Sequence, residues 1–253
     1  DEGEYVLGNA DVSTTDEWLT FTKSETANKD NVIIHSGRTV PHTKLLRFHD
    51  VTLRSDYNGH HWLEGWPDPE PVWLWVDNCS ILGSGRWESY TTPVYRNDNW
   101  FVTDSYFTNT GLNMRFADIV RNVDIEEIGD DASFLCDMVI NLRVHNQDPN
   151  VNEDDATHTY THSDGWQWAG KGMENIIVYG YHGTDMHVQG IFARMSPGGG
   201  VHKNSAFVNV LLEMRLPRRS GTEGQPDSNV FDTVSFYGPM DHILFWHSTL
   251  PVQ

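Results

Sequence analysis

Two short stretches carry the residues best suited to chemistry. In Thr161-His162-Ser163-Asp164-Gly165-Trp166-Gln167-Trp168, strand alternation is expected to set His162, Asp164 and Trp166 on one face. Twenty-five residues on, His187-Val188-Gln189-Gly190-Ile191-Phe192 has the same layout, with His187 against His162, Gln189 against Asp164 and Gly190 against Gly165. A polar group that returns one repeat later, rather than one helical turn later, is the mark of stacked coils. On such a stack Asp118, Asp164, Gln189 and Asp232 are expected near one row, with Arg121 and Arg194 beside it. A carboxylic acid and a carboxylate there would serve glycoside hydrolysis, at about 5–5.5 Å apart for retention or about 6.5–9.5 Å for inversion. A base with a cation would instead serve β-elimination of a uronate: His162 or His187 takes the C5 proton and Arg194 stabilises the enolate-like charge. Gln167 and Gln189 are the expected sugar contacts on that face, and Asp118, Asp164 and Asp232 the expected ligands if Ca²⁺ is bound. Against all of this stands a structural reading, in which stacked Asp, Asn and Gln simply satisfy one another.

The elements that must position these residues come from a recurring pattern: apolar, any, polar or Gly, any, any, apolar. It occurs as Phe48-His49-Asp50-Val51-Thr52-Leu53, Val76-Asp77-Asn78-Cys79-Ser80-Ile81, Val102-Thr103-Asp104-Ser105-Tyr106-Phe107 and Leu135-Cys136-Asp137-Met138-Val139-Ile140. It returns as Phe207-Val208-Asn209-Val210-Leu211-Leu212 and Phe245-Trp246-His247-Ser248-Thr249-Leu250, and Val178-Tyr179-Gly180 fits its first half. The central residues are Asp50, Asn78, Asp104, Asp137, Gly180, Asn209 and His247, types that tolerate the left-handed backbone region. One such residue between two short strands makes a sharp bend, and irregular intervals fit coils with variable loops. Helix signals are scarce, because Pro and Gly are scattered and no long segment keeps a 3.6 period. The expected class is all-β, a solenoid, with an antiparallel sandwich as the alternative.

Composition narrows the partners. Against 17 Lys and Arg stand 36 Asp and Glu, a formal charge of −19 that repels nucleic acid and bare anionic polymers. An anionic ligand would need a local Arg, Lys or bound metal. No apolar run reaches the roughly 18 residues of a membrane span. Cys79 and Cys136 fall two coils apart in this register, about 9–10 Å at ordinary strand spacing and beyond disulfide reach. Two free, buried thiols are therefore expected, and the compartment stays open on that count.

The opening coil is expected at residues 5–40. The chain begins Asp1-Glu2-Gly3-Glu4 without Met or an apolar leader, so an export signal is expected to have been removed or to lie outside it. Residues 57–71 hold His60, His61, Trp62, Trp66 and three Pro, an excursion loop whose Trp62 and Trp66 either stack on sugar rings or fold back over the core. Asn152-Glu153-Asp154-Asp155 lacks the spacing of an EF-hand and reads as a solvated loop. Arg215, Arg218 and Arg219 form the densest basic patch, suited to a carboxylate or sulfate or to balancing nearby acid. No His-Glu-x-x-His spacing argues for zinc.

With repeats and loops in place, the sequence resembles the right-handed parallel β-helix proteins of the pectin-lyase-like superfamily, over roughly residues 30–253 as a repeat pattern. Its sharpest local match is His162-Ser163-Asp164-Gly165-Trp166-Gln167, similar to the Asn-Thr-Asp-Gly motif of polygalacturonase-type glycosidases, which sets Asp164 at that family's catalytic aspartate. In that family Gly-Asp-Asp and Gly-His-Gly follow the motif. Here Gly129-Asp130-Asp131 precedes it and no Gly-His-Gly occurs, so the family within the superfamily is unassigned. The resemblance implies a single β-helix domain over residues 1–253, of about seven to nine coils with variable loops. It also implies a secreted or cell-surface protein acting on an extended polysaccharide, with elimination ahead of hydrolysis. The alternative on the same fold is a non-catalytic carbohydrate-binding or adhesin module of the tail-spike kind.

Overall fold

The structure, a computed structural model, describes residues 1–6, 17–35, 45–54, 73–83, 99–110, 114–115, 117–128, 132–145, 164–186, 189–214 and 234–250. Among them the chain is all-β apart from one 3₁₀ turn at Lys29–Asn31. Every strand pairing is parallel. Parallel neighbours need a crossover between them, and here each crossover returns the chain one rung further along an axis. The result is a long parallel sheet curled about that axis, as in a β-solenoid, and the sandwich alternative is excluded.

Strands stack in three columns. The first runs through Leu19–Thr22, Leu45–His49, Trp73–Asp77 and Trp100–Thr103, then the front halves of Ile119–Ile128 and Met138–His145. It continues through Ile177–Tyr179, the end of His202–Val208 and Met240–Trp246. The second holds Gly3–Val6, Val32–His35, Thr52–Arg54, Ser80–Leu82 and Tyr106–Thr110, then the rear halves of the two long strands, followed by His182–Met186 and Leu211–Met214. The third is a separate five-stranded sheet of Met114–Arg115, Ser133–Phe134, Asp164–Gly170, Gln189–Met195 and Val234–Tyr237.

The corner between the first two columns is a ladder of left-handed residues. Asp50, Asn78, Asp104, Asn122, Asn141, Asn209 and His247 have φ between 48° and 58°, and Gly180 has 69°. Asp and Asn visit this region more readily than other side-chain-bearing residues, and here they are also tied to one another. Asn78 Nδ2 donates to Asp50 Oδ1 (3.1 Å), Asn122 Nδ2 to Asp104 Oδ1 (2.8 Å) and Asn141 Nδ2 to Asn122 Oδ1 (2.9 Å). One expected corner is displaced. Asp137 is not left-handed, and Asn122 and Asn141 take the bends instead. Their surroundings, Val120-Arg121-Asn122-Val123-Asp124-Ile125 and Val139-Ile140-Asn141-Leu142-Arg143-Val144, fit the repeat pattern equally well.

Two residues before each corner an apolar side chain points inward, as at Phe48, Val76, Val102, Val120, Val139, Val178 and Phe207, all fully buried. At about 1.5–3 kcal/mol for each fully buried aliphatic or aromatic side chain, this inner row is a main source of stability. Phe207 ties the columns together, stacking on Phe245 (4.8 Å) and meeting Phe236 (5.8 Å) and Trp166 (5.3 Å) of the third column edge-on. At three corners a small residue just past the bend closes it. Ser105 Oγ donates to the Thr103 carbonyl (2.7 Å) and Ser248 Oγ to that of Trp246 (3.1 Å), while Cys79 Sγ faces the Asp77 carbonyl at 3.3 Å in the same way. Both cysteines are free and buried, as expected.

Candidate functional site

In the third column Asp164 stands in register with Gln189, as the repeat predicts. Its orientation differs from simple alternation. A Cβ on Gly165 would lie 1.7 Å from Tyr181 Oη and 2.6 Å from Met186 Cε, and one on Gly190 would lie 2.5 Å from Leu212 Cδ1, all core atoms. The next residue, Trp166, also packs inward, against Phe207. Two consecutive inward positions put Asp164 on the opposite side from Trp166 and on that of Gln167, whose Nε2 donates to Asp164 Oδ2 (2.7 Å). One rung further, Gln189 Nε2 donates to Ser235 Oγ (2.9 Å). All four residues are buried. Burial, and secondarily the Asp164 carboxylate, push the Tyr181 phenol well above its ordinary range, and its hydroxyl donates to the Gly190 carbonyl (3.1 Å).

Arg194 is exposed, in register with Ala169 and Tyr237. Asp118 and Arg121 are not in this row. The Asp118 carbonyl accepts from Met138 N (3.1 Å) at the foot of the first column, and Arg121 Nη2 donates to Asp104 Oδ2 (2.9 Å) there. His162, His187, Trp62, Trp66, Arg218, Arg219 and Asp232 lie outside the described residues. Among the described residues no group of three or more His, Cys, Asp and Glu is placed to hold a metal ion.

The outward side of the second column gathers ionisable groups that the sequence reading passed over. Tyr106, Asp124, Arg143 and His182 fall in one row, and Thr108, Glu126, His145 and Thr184 in the next. The hydrogen bonds cross between the rows: Tyr106 Oη donates to Glu126 Oε2 (2.5 Å) and His145 Nε2 to Asp124 Oδ1 (2.7 Å). Burial, then the bond to Glu126, raises the Tyr106 phenol above its ordinary value. Arg143 is exposed one residue-pair from His145 on the same strand face. Asp124 and Glu126, also alternate residues on one strand, are roughly 6.5–7 Å apart along the backbone. Their rows are readable in Asp124-Ile125-Glu126 and Arg143-Val144-His145, where polar and apolar residues alternate.

The outward side of the first column carries a charged clamp. The Asp77 carboxylate accepts from the Arg47 guanidinium, from His49 Nδ1 (2.9 Å) and from Thr103 Oγ1 (2.7 Å), and Arg47 lies over the Trp75 ring at 4.1 Å. Burial works to raise the Asp77 carboxyl, but the Thr103, Arg47 and His49 contacts outweigh it and hold the group below its ordinary value. With each oxygen engaged, Asp77 is built to hold its neighbours in place. The chain matches no protein-family model, curated protein or solved structure.

Proposed function

We propose that this is a carbohydrate-active β-helix, in the manner of the pectin-lyase-like superfamily it resembles, acting on an extended polysaccharide by β-elimination ahead of hydrolysis. The observation that carries the reading is the crossed set of Tyr106–Glu126 and His145–Asp124 bonds beside Arg143 on an open strand face. Elimination needs a base at the C5 proton, a cation for the enolate-like charge and an acid for the leaving oxygen. His145, oriented by Asp124, takes the C5 proton. Arg143 pairs with the uronate carboxylate, and Tyr106 gives its proton to the C4 oxygen as the C4–O bond breaks and the C4=C5 double bond forms. Arg143 also supplies the local cation that an anionic sugar requires against an acidic chain. Strand rows about 4.8 Å apart are close to the length of one pyranose, which suits a chain lying along the axis.

The Asp164, Gln189 and Arg194 strands, with Gln167 beside Asp164, are the other seat for the same chemistry. The burial of Asp164 argues against its direct contact with sugar. A non-catalytic binding module is the second reading, favoured by the exposed Ile177, Tyr179, Leu244 and Trp246 at the far end of the first column.

The test is a screen of anionic and neutral polysaccharides for new ultraviolet absorbance from unsaturated sugars and for new reducing ends. His145→Ala and Tyr106→Phe are expected to abolish an activity that Asp164→Asn retains. Loss in Asp164→Asn alone would move the site to the third column, and new reducing ends without absorbance would replace elimination by hydrolysis. Binding without product of either kind would leave the module reading.

A further inference from the structure

The chain turns from the third column back to the first through residues 170–173 in one coil and residues 195–202 in the next. His202 is buried completely at that turn, with 0% exposure. Its Nδ1 accepts the Met173 N–H at 3.1 Å, and its ring meets Phe236 edge-on at 5.9 Å. The backbone is tied there as well: Lys203 N donates to the Met173 carbonyl (2.8 Å) and His202 N to that of Pro239 (3.0 Å). Accepting at Nδ1 fixes the tautomer, since only the neutral ring with its proton on Nε2 offers that lone pair. An imidazolium carries N–H at both positions and would meet the Met173 N–H donor to donor. The charged groups around the turn are spent elsewhere. Lys203 pairs with Glu174 of the adjoining coil (3.0 Å) and Asp241 with His242 on the following strand (2.8 Å), all four at least 40% exposed. Lys171, Arg194 and Tyr237 are exposed too, and among the described residues no ion pair reaches the His202 ring. Burial accordingly lowers the His202 imidazole below its ordinary value, with the Tyr237 backbone working in the other direction.

We infer that His202 is an acid-sensitive latch: protonating it opens the turn at Met173 while the first column stays closed. A histidine in the unfolded chain takes its proton near the ordinary 6.5, whereas the folded turn holds this ring neutral to lower pH. The open form therefore binds more protons than the closed one in that window. Closure is fully stable above about pH 6.5 and weakens as pH falls from there toward the lower folded value. The effect is local because the turn leads directly out of the strand Asp164–Gly170, so opening frees that end of the third column and the Met173 backbone together. The latch stands whether or not the Tyr106, Glu126 and His145 cluster is catalytic.

The experiment is amide hydrogen exchange on the full chain at about pH 7 and about pH 5.5, with each rate divided by its intrinsic value at that pH. Protection at the Met173 and Lys203 amides is expected to fall severalfold, up to about eightfold, the rise in the open population when one ring takes its proton only after opening. The Asn78 and Asp104 amides, bonded to the Thr103 and Arg121 carbonyls in the first column, should keep theirs. His202→Asn leaves an acceptor at the place of Nδ1 without a titrating proton, and it should remove the pH dependence at Met173. Nitrogen NMR of histidine-labelled wild type checks the ring without any variant: His202 should show a bare Nδ1 and a protonated Nε2, and should titrate below the ordinary 6.5. The inference is overturned if protection at Met173 is the same at both pH values, or if His202→Asn keeps the wild-type change. It is equally overturned if Asn78 and Asp104 lose as much protection as Met173, or if the His202 ring titrates at the ordinary value.

Discussion

Replacing Gly165 by Ala tests the inward placement of this position in the strand Asp164–Gly170. The added methyl would sit 1.7 Å from Tyr181 Oη, a contact that cannot persist, and Tyr181 is fully buried with its hydroxyl committed to the Gly190 carbonyl. Either the strand shifts away from the core or the phenol is displaced and its bond lost. Overpacking of this kind costs about 1–3 kcal/mol, and losing the hydrogen bond adds about 1 kcal/mol. Gly165→Ala is therefore expected to destabilise by about 2–4 kcal/mol, seen as a lower urea midpoint with unchanged slope in tryptophan fluorescence. Tyr181→Phe alone should cost about 1 kcal/mol. In the double variant the clash with Oη is gone, so the two effects should fall short of additivity by at least about 1 kcal/mol. An alanine variant within about 0.5 kcal/mol of wild type, or the same cost when Tyr181→Phe is already in place, would refute the inward placement of this residue.

Three further outcomes follow from the coil corners and the clamp. The Asp77 carboxyl titrates below its ordinary 3.8 in the folded chain, so its contribution is complete above about pH 4 and is lost as pH falls through the lower folded value. Asp77→Asn, lacking that titration, should lose less stability than wild type between about pH 4 and 2, read from melting temperatures across that range. Cys79→Ser should leave stability within about 1 kcal/mol, because Ser105 and Ser248 already fill the equivalent place in other coils. With burial raising the Cys79 thiol to about 12, alkylation at pH 8 should require unfolding. Gly180→Ala should cost about 1–2 kcal/mol, read as a lower urea midpoint, since φ is 69° and the new Cβ would lie 2.6 Å from Asn141 Oδ1.

The solenoid was legible because its corners demand a rare backbone state. Asp50, Asn78, Asp104, Gly180, Asn209 and His247 stand out among β-branched and aromatic neighbours, and the pairing of Asp164 with Gln189 followed from the same counting. Asn122 and Asn141 escaped because Leu135-Cys136-Asp137-Met138-Val139-Ile140 offered the same letters at a spacing closer to the other coils. A pattern of types cannot say that the strand runs on unbroken to the next Asn. The side to which Asp164 points was illegible for a different reason. Alternation assumes a straight strand, and the inward turn at Gly165 depends on Tyr181, a residue of the next corner. The Tyr106, Asp124, Glu126, Arg143 and His145 cluster was missed because its partners are diagonal across rungs, so the contact appears only once the register of three strands is fixed.

The spacings of 18 between Asp104 and Asn122 and 19 between Asn122 and Asn141 contrast with 28 between Asp50 and Asn78. A full circuit of this chain thus needs no more than that shorter length, and the longer circuits carry extra residues between the same kind of corner. Tandem duplication of the segment between Asn122 and Asn141 would splice in an extra turn whose two ends already match, lengthening the molecule while leaving each existing junction as it was.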